Sequence, residues 1–546
     1  MTKFSIHLSF IFLILLPVNS ISQSREFEIL KNLELLDQIH EHLELYFVDE
    51  PETGKISKVA IDGMLKELDP YTIFYHESNM EDYRLMTTGE YGGIGALIRK
   101  IKGDTYIVEP YENHPAHKSG LIAGDKILSI EGVSMKGKTS NEVSAALKGP
   151  RGTSIAVEVE RANSEVKIID VVRDQIKIPD VPYAGMIDDN IGYVRLSSFS
   201  HTAFQSVQKE YNNLMEQGMK YAILDLRNNG GGLLFEAVRI VNLFVTKGNL
   251  VVSTKGRVKN ENREYKTMEQ PLFPGIPLVV LINEKSASAS EIVAGSLQDM
   301  DRAVIVGHQS FGKGLVQRTY DLKYGSKLKL TISKYYTPSG RCVQRLEYYD
   351  KNINDTPKEI SDSMITTYKT KNGRDVIDGR GIVPDVEIDI ESVSRLTSLI
   401  LMQDVIFEYV NAYVYRKDSI SMPDSFHLTE QGYEDFVSYV TDKKEFEYAT
   451  ASEIKLTELK EIAEQEGLLS ELNAQVLALE KGLKGDLKRD LKRYKSEIIP
   501  ILENEIVSRY FYQRGKSIHS FSYDKSLLKA KEILNKTAEY NTILGN

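Results

Sequence analysis

At 546 residues the chain is too long for one ordinary hydrophobic core, and about 150 residues per domain predicts three or four. A formal net charge of −10 with 27% charged residues excludes a general nucleic-acid binder and fits a soluble globular protein. Cys342 is the sole cysteine, which excludes an intramolecular disulfide, and ten histidines without paired Cys/His spacing argue against a zinc site. The setting of Cys342 reads as a turn entering a strand, a structural position.

Residues 1–22 carry one positive charge, a short apolar run over residues 4–16, and small residues at Ser20 and Ser22. They predict a cleaved secretory signal peptide; the run is shorter than the ~20 residues of a membrane span. Residues 23–86 read as an N-terminal helical segment, with Ile29, Leu33, Leu36, Ile39 and Leu43 at three- and four-residue steps and a proline break in Leu68-Asp69-Pro70-Tyr71-Thr72.

Residues 87–175 change to short β runs divided by glycine turns: Glu90-Tyr91-Gly92-Gly93-Ile94-Gly95, then Ala123-Gly124-Asp125, then a glycine turn into Ile155-Ala156-Val157-Glu158-Val159-Glu160. A glycine-rich turn exposes consecutive N–H groups able to hold a carboxylate, and the adjoining strand edge pairs with an extended peptide. This is a peptide C-terminus receptor in outline.

Residues 176–391 alternate apolar strands with helices, the pattern of an α/β domain. Tyr221-Ala222-Ile223-Leu224-Asp225-Leu226 runs into Arg227-Asn228-Asn229-Gly230-Gly231-Gly232, a loop that lets backbone amides approach a ligand; no Gly-Lys-Ser/Thr ending supports a phosphate cradle. Leu278-Val279-Val280-Leu281-Ile282 reads as a strand, and the segment from Glu291 reads as a helix, with Ser286-Ala287-Ser288-Ala289-Ser290 between them. Ser288 is thereby predicted near a helix N-terminus, where free N–H groups stabilise an oxyanion; Ala289 N–H is one donor, and Gly231 or Gly232 the other. Twenty-five residues on, Lys313 lies between Gly312 and Gly314 beside Phe311, Leu315 and Val316. A desolvated lysine serves as base to a serine nucleophile where no histidine does. Gln317, if helical there, shares a face with Lys313 and accepts a hydrogen bond from its amine. Taken alone, the pair also reads as an ordinary N-cap and an exposed turn.

Residues 392–546 form a charged, helical extension with an apolar stripe through Leu456, Leu459, Ile462, Leu469, Leu472, Val476 and Leu479; the basic run after it reads as a solvated face.

Eight motifs in order resemble the C-terminal processing peptidases, or tail-specific proteases, a family of secreted or periplasmic Ser-Lys endopeptidases with a PDZ domain. They are Leu68-Asp69-Pro70-Tyr71-Thr72, Tyr91-Gly92-Gly93-Ile94-Gly95, Ala123-Gly124-Asp125, Asp225-Leu226-Arg227-Asn228-Asn229, Ser286-Ala287-Ser288-Ala289-Ser290-Glu291, Phe311-Gly312-Lys313-Gly314, Tyr335-Tyr336-Thr337-Pro338-Ser339-Gly340 and Asp378-Gly379-Arg380-Gly381-Ile382-Val383-Pro384-Asp385. The resemblance implies a multidomain α/β (α+β) protein: helical segment, PDZ domain, crotonase/Clp-protease-like catalytic core and C-terminal helical extension. It implies Ser288 as nucleophile, Lys313 as general base and Gln317 as its orienting residue, with oxyanion donors at Ala289 and the Gly231-Gly232 turn. Gly92, Gly93, Ile94 and Gly95 are expected to bind the free C-terminus of protein or peptide substrates with unstructured apolar tails. No metal or organic cofactor is implied. An exported, periplasmic location, a homo-oligomer formed through the terminal helices and an adaptor protein complete the expectation. Gly230 stands where the family often has proline. Two other classes fit parts of the chain: a non-catalytic peptide- or ligand-binding, chaperone-like module on the same fold, and an acyl-CoA-type hydrolase or isomerase, against which the PDZ-like segment argues.

Overall fold

The computed structural model describes residues 20–77, 80–351, 356–389 and 393–546; residues 1–19 of the predicted signal peptide lie outside them. Helix α1 (Ser20–Tyr46) carries the predicted apolar stripe, but Ile29, Leu33, Leu36 and Ile39 are half or more exposed. No described helix is long and apolar enough to cross a membrane. After α2 (Thr53–Lys66) the helical expectation is corrected: the chain forms strand β1 (Ile73–Tyr75) before α3 (Met80–Thr88). Asp69 accepts the N–H groups of Tyr71 and Thr72, both at 2.8 Å, turning the chain out of the helix at Pro70.

The next module holds β2 (Glu90–Gly93), β3 (Ala96–Ile101), β4 (Asp104–Pro110), α4 (Pro115–Lys118), β5 (Lys126–Ile130), β6 (Val133–Ser134), α5 (Ser140–Leu147), β7 (Ser154–Glu160), β8 (Val166–Val172) and β9 (Asp174–Lys177). Its sheet runs β3-β4-β5-β7-β8, while β2 pairs with β9. Alternation along β7 sends Ile155, Val157 and Val159 into a core with Ile107, Val143 and Val171. The outer edge of β3 has no strand partner among the described residues.

The third region contains β10 (Tyr183–Met186), β11 (Ile191–Arg195), α6 (Ala203–Glu216), β12 (Tyr221–Asp225), α7 (Leu234–Asn242), β13 (Leu250–Gly256), β14 (Arg263–Lys266), β15 (Leu278–Ile282), α8 (Ala289–Asp299), β16 (Val304–Gly307), β17 (Leu315–Asp321) and β18 (Lys327–Tyr336). The central sheet is ordered β10-β11-β12-β15-β16 and ends on Val386–Glu387; all its pairings are parallel except that of β10. All five residues of β15 are buried, as a strand covered on both faces requires. Leu224 and Val280 pack against Val207, Tyr211, Val241 and Ile292 of the flanking helices. A second sheet, β1-β18-β13-β14 with β17 also on β18, stands beside it, and β1 brings the Leu68-to-Thr72 turn to its edge.

From Arg395 to Ser520 the chain forms helices around their own core, including Phe436, Val437, Ile498 and Leu502. The predicted stripe is split between helices Ala451–Gln465 and Leu469–Leu483, because Gly467 takes a φ of +75° after the first. Leu456 and Val476 are buried; Leu459, Ile462, Leu472 and Leu479 are exposed. The last two helices, Lys525–Asn535 and Thr537–Ile543, leave this extension and cover the open face of the central sheet, where Leu527, Ala530 and Ile533 meet Val279, Leu281 and Val306. Arg227 fastens the join, bridging buried Asp225 at 2.6 Å and Asp524 at 2.7 Å. The extension also holds the β module, through Arg99–Asp404 (2.9 Å) and Lys102–Glu408 (2.7 Å).

Candidate active site

Ser288 follows β15 at the N-cap of α8, with φ +56° and ψ −111°. A non-glycine residue there stores on the order of 1–3 kcal/mol, which the surroundings must offset. Three residues do so. Asn229 O accepts Ala287 N–H at 3.0 Å and Ser290 Oγ–H at 2.9 Å. Tyr335, fully buried, donates its hydroxyl to Ser288 O at 3.2 Å. Glu291, at the third helical position, accepts Ser288 N–H at 2.8 Å.

Gly231 approaches the serine turn so closely that a Cβ there would lie 2.9 Å from Ala289 N and Ser288 Cβ, and its φ of +99° disfavours any side chain. Its own N–H donates to Asn229 Oδ1 at 2.9 Å. The carbonyl of Gly231 and the N–H of Leu233 bond to Phe199, leaving Gly232 N–H without an acceptor among the described residues. Ala289 N–H, in the first turn of α8, is likewise free.

Lys313 lies in the loop before β17. Glu291 reaches this loop too: its carboxylate accepts Lys313 N–H at 2.9 Å, Gly312 N–H at 2.7 Å and Ser310 Oγ–H at 2.5 Å. Burial raises the Glu291 carboxyl above its ordinary value, and these donors oppose that rise. The Lys313 amine sits 4.0 Å from the centroid of the Tyr71 ring and makes no hydrogen bond to Ser288 or Gln317. Burial and then the neighbouring Lys329 ammonium lower its pKa to about 8, against the influence of Glu291 and Asp69. The helical reading of Gln317 is corrected: it lies in β17, and its Nε2 donates to Thr331 Oγ1 of β18 at 3.2 Å. β17 forms because the Leu315-to-Asp321 segment is zipped antiparallel onto β18.

A cavity of about 1000 Å³ collects Ser288, Ala289, Lys313, Gln317, Gly231 and Gly232. Among the expected receptor residues, Gly92 and Gly93 lie in β2 and pair with β9, so only Ile94 and Gly95 occupy the open turn before β3. Cys342 is a free thiol whose pKa burial raises. The other motifs support the cavity: Arg341 forms a buried pair with Asp299 of α8 at 2.8 Å, and Ile382 N–H and O fix Ser310. Sequence reasoning did not assign Glu291, Asn229 or Tyr71, although each stands in a motif; the Ser-x-x-Glu spacing of Ser288 and Glu291 was the available signal for the first.

Three family models match the chain: a PDZ domain at residues 106–161, peptidase family S41 at 190–355, and the C-terminal helical domain of a probable PDZ-protease at 396–534. Over 336 residues the sequence is 38% identical to a carboxy-terminal-processing protease of Bartonella bacilliformis, an alignment covering 61% of this chain and 77% of that one. It is 33% identical over 340 residues to a probable CtpA-like serine protease of Staphylococcus aureus strain N315, covering 62% and 68%. Among solved structures, the photosystem II D1 C-terminal processing protease aligns at 28% identity with a TM-score of 0.37, covering 65% of this chain and 87% of that one.

Proposed function

The chain belongs to the carboxy-terminal-processing proteases of peptidase family S41, with a PDZ domain and a C-terminal helical domain, and on that premise we propose that Ser288 and Lys313 are its catalytic dyad. One observation carries this reading: a single buried carboxylate, Glu291, takes the main-chain N–H of both residues and so sets the serine turn and the lysine loop at one cavity.

In the proposed reaction the neutral Lys313 amine takes the Ser288 Oγ proton as Oγ attacks the scissile carbonyl carbon. The oxyanion is received by Ala289 N–H and Gly232 N–H, since Gly231 N–H is already engaged by Asn229. The Lys313 ammonium then protonates the departing amine as the C–N bond breaks. Water attacks the acyl-enzyme, gives its proton to Lys313, and releases the carboxylic acid as Ser288 recovers its hydrogen. Before the first step the Lys313 amine must leave the Tyr71 ring and turn toward Ser288; Gln317, held through Thr331, waits on the same cavity wall.

The PDZ domain is proposed to hold the apolar C-terminal tail of a protein substrate at Ile94 and Gly95, beside the open edge of β3. Residues 1–22 are proposed to direct export to the periplasm. The exposed apolar stripe of α1 supports an oligomer formed through the terminal helices, and the helical domain is a candidate surface for an adaptor.

The test is cleavage of an unstructured reporter with an apolar C-terminal tail. Wild type is expected to cut it, Ser288→Ala and Lys313→Ala to lose about 10³-fold or more in kcat while remaining folded, and amidation of the tail to raise KM. Retention of the uncut reporter by all three proteins would favour a binding module instead, and full activity in Lys313→Ala would remove the lysine from its role.

A further inference from the structure

A second groove, of about 480 Å³, is lined by Phe235, Val238, Arg239 and Asn242 of α7. Its floor is apolar: Phe235, Met268 and Leu272 are 67%, 72% and 51% exposed, a concentration of large side chains facing solvent that the core does not require. The wall is built rather than loose. Asn242 Oδ1 accepts the N–H groups of Met268 and Glu269, each at 2.9 Å, and Phe235 meets Tyr265 edge to face at 5.4 Å. The Arg239 guanidinium stands over Phe204, 3.9 Å from the ring centroid, and is held by Glu236 at 3.0 Å, so a charged group is fixed at the rim.

Two features identify the occupant. The first is β14. It ends its sheet without an outer partner among the described residues, and Glu264, Tyr265 and Lys266 all line the groove. Successive side chains of a strand point to opposite faces, so three consecutive lining residues mean that the groove follows the strand's open edge, where unpaired N–H and C=O groups are presented. The second is continuity with the catalytic cavity. Leu234 lines that cavity and Phe235 this groove; His201 lines the cavity and Phe204, at the start of α6, the groove. Two separate elements therefore pass from one depression to the other within one to three residues.

We propose that the groove is a docking site for an extended, apolar segment of the substrate polypeptide, which adds as a strand to β14 while the chain continues into the catalytic cavity. Main-chain hydrogen bonds along the edge supply sequence-tolerant affinity, and the apolar floor selects unfolded segments over folded surfaces. This rests on the peptidase reading of Ser288 and Lys313.

The test uses full-length protein and two substrates, a long unstructured polypeptide with an apolar tail and a short fluorogenic peptide spanning only its cleavage site. Phe235→Asp and Met268→Asp, both at exposed positions, are expected to raise KM for the long substrate about tenfold while leaving kcat, and all constants for the short peptide, unchanged. In a Ser288→Ala background, binding of the long polypeptide by fluorescence anisotropy is expected to weaken by the same factor with either substitution. Equal losses on both substrates would mean that the fold around the groove had merely been distorted, and unchanged KM and affinity would assign the groove to something other than substrate; either result overturns the proposal. If wild type cuts neither substrate but Ser288→Ala binds the long one through Phe235, the peptidase reading fails, and with it the groove's role in feeding substrate to the cavity, leaving a polypeptide-binding groove alone.

Discussion

The two halves of the proposed Ser288–Lys313 pair are held in opposite ways. The serine turn is over-determined: Asn229, Tyr335 and Glu291 fix its main chain from three directions, and every residue of α8 behind it is buried. The lysine loop is equally fixed in its main chain, by Glu291 and by the Gln344 side chain, which accepts Gly314 N–H at 2.7 Å. Its amine, by contrast, lies over the face of Tyr71 and has no hydrogen-bond partner among the described residues. The difference separates two tasks. An oxyanion site has to be rigid before the substrate arrives, whereas a base that both takes and gives a proton must move a short way between partners.

Removing the shared anchor breaks the comparison most severely. Glu291→Ala orphans four donors inside the fold, Ser288 N–H, Gly312 N–H, Lys313 N–H and Ser310 Oγ–H, at about 1–3 kcal/mol for each that water cannot reach. The expected result is a loss of at least about 3 kcal/mol in denaturant unfolding of the peptidase region and at least about 10²-fold in kcat, since both loops lose their common reference. Wild-type kcat with lowered stability would show that the two loops keep their positions independently.

Substituting the lysine half is expected to do the reverse to stability. Lys313 is lowered from 10.5 to about 8 in the folded protein, so its contribution to stability is present above 10.5 and is lost as pH falls through about 8. At pH 7 the fold carries a buried ammonium at a cost on the order of 3 kcal/mol, of which contact with Tyr71 returns about 1. Lys313→Met should abolish cleavage yet unfold at higher denaturant at pH 7, by about 2 kcal/mol, with the gain shrinking toward pH 10. A variant less stable than wild type at pH 7 would mean that the ammonium is well solvated in the cavity and that desolvation does not prepare the base.

What could be read in the sequence follows the same division. Ser288 was legible because its strand, turn and helix are contiguous, and the lysine because glycines and apolar neighbours surround it. The central sheet was legible from buried runs such as β15. Glu291 was not, because three of its four donors come from residues 310–313, a pairing that no local pattern encodes. Tyr71 reaches Lys313 from 242 positions upstream only because β1 joins β18, and β1 was hidden within a segment of helical periodicity. The four-residue step from Lys313 to Gln317 permits a helix in isolation; pairing with β18, a tertiary effect, decides for strand. The last two helices read as part of an extension, since an amphipathic stripe does not say which surface it will cover.

The finest test concerns the perch itself. Burial and Lys329 push the Lys313 pKa down; the face of an aromatic ring favours a cation by about 0.5–2 kcal/mol depending on desolvation, so the Tyr71 ring is expected to oppose them. Wild-type kcat/KM should rise with pH through about 8 as the neutral amine is formed. In Tyr71→Leu, which keeps an apolar neighbour but removes the ring, that limb should shift to lower pH by about 0.5–1 unit, while Tyr71→Phe, which loses only the 2.9 Å hydrogen bond to Tyr348, should leave it in place. A shift of Tyr71→Leu toward higher pH would reverse the assignment: water would then be entering where the ring had been, and Tyr71 would act by excluding solvent from the amine rather than by holding its charged form.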